Sequence, residues 1–199
     1  MCAECDRLEA SGSQDSSRRL DRRRFIKGCV LAAAGLAMPA LAATRQAREA
    51  AEREVALHHL HTGETISTTY WVDGRYIPSS LKEINRFLRD FRTGDMHPVD
   101  PTLLDLLYTL RTSLDSKAPF EIISAYRSPK TNEMLRSRSA NSGVAQRSMH
   151  MEGKAIDVRL PGRDLMDLHR AAVAMKAGGV GLYTNSGFVH VDTGAVRYW

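Results

Sequence analysis

Cysteine is nearly absent from this chain: of 199 residues only Cys2, Cys5 and Cys29 carry a thiol. All three precede residue 44, so the body of the sequence has no disulfide available and must be held by its core and by any metal it binds. Cys2 and Cys5 form a lone CxxC, with no second pair to complete a zinc knuckle. Long apolar runs are missing too. The longest uncharged stretch near the start, Gly28 to Ala43, is rich in Ala and Gly. It falls short of the about 20 strongly apolar residues of a membrane span. Nor does one sign of charge dominate. The formal net charge is +5, and residues 1–42 hold seven of the 28 basic and five of the 23 acidic side chains, leaving 21 against 18. That balance advertises no polyanion, and no nucleic-acid partner is expected. Internal repeats are lacking, and the hydrophobic fraction of 43% is ordinary for a protein with one core.

What the first residues do contain is an address. Arg18 to Ala43 opens with arginines, continues through the uncharged stretch and includes Ala40-Leu41-Ala42, a small-x-small signal-peptidase pattern. Arg22-Arg23-Arg24-Phe25-Ile26-Lys27 matches the twin-arginine export signal, which a receptor reads. Cys29 has its apolar run after it rather than before it, which argues against a lipoprotein site. The expectation is a twin-arginine signal peptide over 1–42, a periplasmic protein and no integral membrane domain after cleavage. The rival reading is an uncleaved anchor helix. Oligomeric state is not legible.

Residues 43–56, biased to Ala, Arg and Glu, are expected as a linker or short helix, leaving 57–199 as the folded domain. A β-rich stretch opens it, with turns at Thr62-Gly63-Glu64 and at Asp73-Gly74, the latter a strong two-residue hairpin signal. Leu81, Ile84, Phe87, Leu88 and Phe91 recur at helical spacing, as do Leu103, Leu104, Leu107, Leu110 and Leu114 after Asp100-Pro101. Phe120 to Ser124 reads as a strand, Pro129 to Arg138 as a helix, Lys154 to Arg159 as a strand and Asp164 to Ala177 as a helix. Gly178 to Tyr183 and Gly187 to Asp192 close the chain as a strand pair. Helices followed by strands predict one α+β domain, with a small central antiparallel sheet flanked by helices.

The chemistry gathers in the stretch SMHMEGKAID, residues 148–157. His150 and Asp157 there are either a core histidine and a turn aspartate, or two of three protein ligands of a zinc ion. A third donor is available at His190, in Phe188-Val189-His190-Val191-Asp192. Alternation puts Phe188, His190 and Asp192 on one face of that strand, where a buried histidine and aspartate are costly unless paired or metal-bound. The clustered His58, His59 and His61 fall on both faces of a strand and are expected at the surface. His97 and His169 are read as structural, and Trp71 and Tyr126 as packing residues.

Ser148-x-His150-x-x-Gly153-x-Ala155-x-Asp157, with SAYRSP upstream and FVHVD downstream, resembles zinc murein peptidases of the D-Ala-D-Ala carboxypeptidase and hedgehog-like superfamily. Within it, the chain from about Leu57 to Trp199 is similar to the YcbK/MepK-like murein endopeptidases. The resemblance implies a hedgehog/DD-peptidase-like fold, Zn2+ on His150, Asp157 and His190, and peptidoglycan stem peptides as partner. It also implies a substrate-facing Arg127 that clamps a carboxylate or polarises the scissile carbonyl, and Ser148 at the substrate. The expected activity is endopeptidase cleavage of crosslinks, including those between diaminopimelate residues. A D-Ala-D-Ala-type carboxypeptidase and a non-catalytic wall-binding module are the alternatives. One position departs from the pattern. Many members carry a glutamate three residues before the last histidine, and here that residue is Gly187. Asp192 is the candidate general base, or else a residue that orients a ligand; Glu152 is a second candidate.

Overall fold

The computed structural model describes residues 51–138 and 143–199. The leader expected over 1–42, with its three cysteines, lies outside the described residues. The element order is β1 (Glu52–His59), β2 (Thr65–Val72), β3 (Arg75–Tyr76), α1 (Pro78–Phe87) and α2 (Pro101–Ser113), then β4 (Phe120–Ser124) and α3 (Pro129–Ser137). A 3-10 turn (Met149–Glu152), β5 (Ala155–Arg159), α4 (Leu165–Met175), β6 (Gly179–Tyr183), β7 (Phe188–Asp192) and β8 (Arg197–Tyr198) follow.

Local chemistry sets most boundaries. Asp73 and Gly74 both take positive φ, 46° and 83°, as a type I′ turn demands, and Val72 pairs with Arg75 across them. Proline stands in the first turn of α1, α2 and α3. Asp100, Ser128 and Asp164 cap α2, α3 and α4 by accepting backbone N–H bonds from Thr102, Thr131 and Met166.

The α+β class holds, but the sheet is neither small nor purely antiparallel. Eight strands run in the order β3-β2-β1-β4-β5-β7-β6-β8, with β1–β4 and β6–β8 parallel and the other neighbours antiparallel. The β-rich opening stretch is no separate hairpin: Leu57 to His59 pair with Phe120 to Ile122. Between β1 and β4 lie two further strands and two helices, ample chain for a parallel crossover. Residues 52–56, within the stretch expected as linker or short helix, open β1 instead. Val55, Leu57 and His59 are buried at period two there, a strand spacing that the Ala/Arg/Glu bias conceals.

The same alternation divides β5 and β7. Ile156, Val158, Val189 and Val191 are fully buried in the hydrophobic core. Helix α4 packs on β6 and β7, and α2 on β1 and α4, and Leu103, Leu104, Leu107, Leu110, Leu168 and Ala172 fill this layer. Asp157, His190 and Asp192 take the other parity, on the opposite face. No helix among the described residues is long and apolar enough to cross a membrane.

Candidate metal centre

β5 and β7 are antiparallel neighbours in which Asp157 pairs with His190, so one cross-strand pair supplies two polar side chains to one face. The 3-10 turn supplies the third. Its geometry depends on Gly153, which ends the turn in the left-handed region at φ 65°. A Cβ there would lie 2.2 Å from the Pro98 carbonyl oxygen, so both the backbone angle and the packing require glycine.

His150, Asp157 and His190 each offer a ligand atom, and these atoms lie within 4.8 Å of one another. The exposures are 3%, 5% and 8%. His150 Nδ1 sits 2.7 Å from the Ala125 carbonyl, which only accepts, so Nδ1 is assigned the proton and Nε2 a lone pair. His190 Nε2 faces the Asp192 carboxylate at 3.1 Å and is assigned its proton in the same way. The two free lone pairs then face each other, His150 Nε2 to His190 Nδ1 at 3.2 Å, with Asp157 Oδ1 at 3.3 and 2.8 Å from them. Two imidazole lone pairs at that distance repel unless a metal ion or a proton lies between them. Two nitrogens and one carboxylate oxygen, each backed by a further hydrogen bond or charge, make a donor set that fits a divalent metal with a position left open.

Electrostatics agree. Burial pushes the Asp157 carboxyl up, but His150 and His190 outweigh it and hold it well below the usual carboxylate range. Burial likewise opposes a charged His190, yet Asp157 and Asp192 raise its pKa when no metal competes.

Asp192 is fully buried, and both its oxygens are engaged. Oδ1 accepts from the Gly179 and Gly194 backbone N–H groups, both at 2.9 Å, and Oδ2 accepts from Arg197 at 2.6 Å besides facing His190. Burial pushes its carboxyl up, but these donors hold it well below its ordinary range.

Arg127 follows β4, and its backbone N–H donates to the His150 carbonyl at 3.1 Å, tying it to the turn. Its guanidinium is nearly buried, 3.9 Å from Asp157 Oδ2 and 3.4 Å from Asn132 and Ser124 oxygens, and Nε has no partner among the described residues. Burial lowers its pKa, with Asp157 acting the other way. Ser148, 9% exposed, precedes the turn without capping it. Glu152 is exposed and pairs with Lys154 at 2.9 Å. Gly187, where many superfamily members carry glutamate, lies before β7 at φ 68°.

Of the remaining histidines, His59 overturns its expected surface role. It is 1% exposed and walled by Phe87 and Phe91. His61 is exposed and stacks on Phe91 at 4.1 Å. His97 stacks on Tyr126 at 5.1 Å, and Trp71 carries Arg53 on its ring, so Tyr126 and Trp71 do pack.

Sequence reasoning missed Arg197 and Trp199 of the β8 segment. The indole of Trp199 lies 5.2 Å from the His190 ring. The signal was present in Gly178-Gly179-Val180-Gly181: glycines inside a strand mark places where something else approaches closely.

A protein-family model described as peptidoglycan L,D-endopeptidase MepK matches residues 47–199. The peptidoglycan L,D-endopeptidase MepK of Escherichia coli K12 is 43% identical over 182 residues, covering 90% of this chain and 97% of the relative. The Shigella flexneri protein of the same name shows the same identity and coverage. A probable peptidoglycan L,D-endopeptidase MepK of Haemophilus influenzae is 40% identical over 148 residues, 74% of this chain and 78% of the relative. No solved structure matches. A family match running through β8, around a buried His-Asp-His cluster, places the assignment beyond the motif alone: this chain belongs to the peptidoglycan L,D-endopeptidase MepK family.

Proposed function

We propose that this chain is an exported, zinc-dependent peptidase that hydrolyses peptide crosslinks of peptidoglycan, those between diaminopimelate residues included. The observation that carries the reading is the convergence of His150 Nε2, His190 Nδ1 and Asp157 on one point, with the far nitrogens of both histidines fixed by Ala125 and Asp192. The substrate class comes from the relatives, whose names describe peptidoglycan L,D-endopeptidases. The export route comes from Arg22 to Lys27, ahead of Ala40-Leu41-Ala42.

His150, Asp157 and His190 would hold the zinc, which supplies an activated water and polarises a carbonyl when bound. The chain's own groups do the rest. Arg127 offers its guanidinium to a substrate carboxylate or to the scissile carbonyl. The 3.4 Å contacts to Asn132 and Ser124 are long enough to be exchanged for a bidentate pair. Ser148 lines the same turn as His150. For Asp192, engaged by Arg197, two backbone N–H groups and His190, the geometry favours the orienting role over the general base.

The test is digestion of crosslinked muropeptides by the protein with and without chelator. Chelator-sensitive conversion of crosslinked dimers to monomers supports the endopeptidase. Release of terminal D-alanine alone means a carboxypeptidase, and binding without either product means a wall-binding module.

A further inference from the structure

β8 carries two side chains toward the metal centre. It pairs with β6 in parallel, Gly179 with Arg197 and Val180 with Tyr198. Trp199 continues the ladder: its N–H donates to Val180 at 3.2 Å and its carbonyl accepts from Leu182 at 3.0 Å. Alternation then sends Arg197 and Trp199 to the face that holds Asp157, His190 and Asp192.

On that face β6 is nearly bare. Gly181 is the cross-strand partner of His190, so its side chain would stand beside the imidazole, and it has none. The indole occupies the space: a Cβ on Gly181 would lie 2.5 Å from Trp199 Cε2 and 2.6 Å from Nε1. The indole and imidazole centroids are 5.2 Å apart, tilted 47°. Although Trp199 is half exposed, its orientation is fixed. Nε1 donates to the Tyr183 hydroxyl at 2.9 Å, Tyr183 stacks on Phe188 at 4.6 Å, and the Arg197 guanidinium lies 5.2 Å from the indole.

This arrangement answers a mechanical need. The Asp192 bond to Nε2 and the Asp157 contact at Nδ1 act on the two edges of the His190 ring, and neither bears on its face. A rigid plane beside the ring limits its swing.

We propose that Trp199 is a positioning residue for the metal centre: seated on Gly181 and anchored by Tyr183, its indole fixes the His190 ring so that Nδ1 stays aimed at Asp157 and His150. The proposal rests on the metal reading above. It concerns ring orientation and assigns Trp199 no bond making or breaking.

Wild type, Trp199→Ala, Trp199→Phe and Gly181→Ala are compared first. The last keeps the indole but fills its seat. For each, zinc affinity is measured by chelator competition and the melting midpoint is taken without metal. Trp199→Ala and Gly181→Ala are expected to weaken zinc at least about tenfold, the effect of losing support behind a metal ligand. Trp199→Phe, which restores a flat neighbour, recovers most of the affinity. In a Trp71→Phe background, where Trp199 is the one remaining tryptophan, Co2+ binding is expected to quench its emission. Wild-type zinc affinity in both Trp199→Ala and Gly181→Ala, with only the melting midpoint lowered, would overturn the proposal by making Trp199 a packing residue. If wild type itself bound no zinc, the metal reading would fall, and the proposal with it.

Discussion

Asp192 meets His190 at the ring nitrogen that points away from His150 and Asp157: Oδ2 stands 3.1 Å from Nε2, while Asp157 Oδ1 stands 2.8 Å from Nδ1. One imidazole thus stands between two carboxylates, one at each nitrogen. The Nε2–H bond to Asp192 fixes the tautomer that leaves Nδ1 with a lone pair. Asp192→Asn is therefore expected to weaken zinc by about 10- to 100-fold, with a smaller loss of turnover once zinc is saturating. Chelator competition and turnover on crosslinked muropeptides read the two effects separately. Intact zinc affinity with turnover abolished would instead make Asp192 the proton carrier.

Arg127 is nearly buried, its contacts to Asn132 and Ser124 are long, and its Nε has no partner among the described residues, so exchanging those contacts for a substrate carboxylate is the role to test. Arg127→Lys keeps the charge and loses the planar fork. The expected outcome is a KM raised about tenfold, the scale of one charge-assisted hydrogen bond, with zinc affinity little changed. An unchanged KM would leave Arg127 as a partner of Asp157 alone.

Gly153→Ala brings two penalties together, a side chain at φ 65° and a Cβ placed 2.2 Å from the Pro98 oxygen. A loss of about 2 kcal/mol or more is expected in urea unfolding of the metal-free protein, since left-handed strain alone costs on the order of 1–3 kcal/mol. Zinc affinity should fall with it, because the turn carries His150. An unchanged urea midpoint would show that the turn tolerates a side chain.

His59 sets an acid limit on the fold. Burial lowers its pKa from 6.5 to about 4. Nδ1 accepts the His61 backbone N–H at 3.2 Å, and Nε2 has no partner among the described residues. The unfolded chain therefore takes up this proton first as pH falls. Stability is full above about pH 6.5, drops between there and about pH 4, and loses nothing more from this group below. The loss is on the order of 3 kcal/mol. His59→Gln should flatten this part of the stability–pH curve relative to wild type. Parallel curves for the two proteins would contradict the assignment.

The His150–Asp157–His190 cluster was legible in the sequence because its members sit in short patterns with local causes. Gly153 permits the turn that carries His150, and period two sets Asp157 apart from Ile156 and Val158, and His190 apart from Val189 and Val191. The caps and the Asp73-Gly74 turn were legible for the same reason. What escaped was non-local. The parallel pairing of Leu57 with Phe120 joins residues far apart in sequence and leaves no mark in either segment. His59 belongs to the same period-two set as Val55 and Leu57, but its polarity hid its burial. Trp199 comes beside His190 only through β8 pairing on β6, and the donors that hold Asp192 appear only once Arg197, Gly179 and Gly194 converge on it.

The most direct test of the metal-dependent reading is a zinc titration of the chelated protein against cleavage of crosslinked muropeptide dimers, followed by mass. Activity should rise from zero and saturate at one zinc per chain, with His150→Ala inactive at every zinc level. Full activity in the chelated protein, or undiminished activity of His150→Ala, would contradict it.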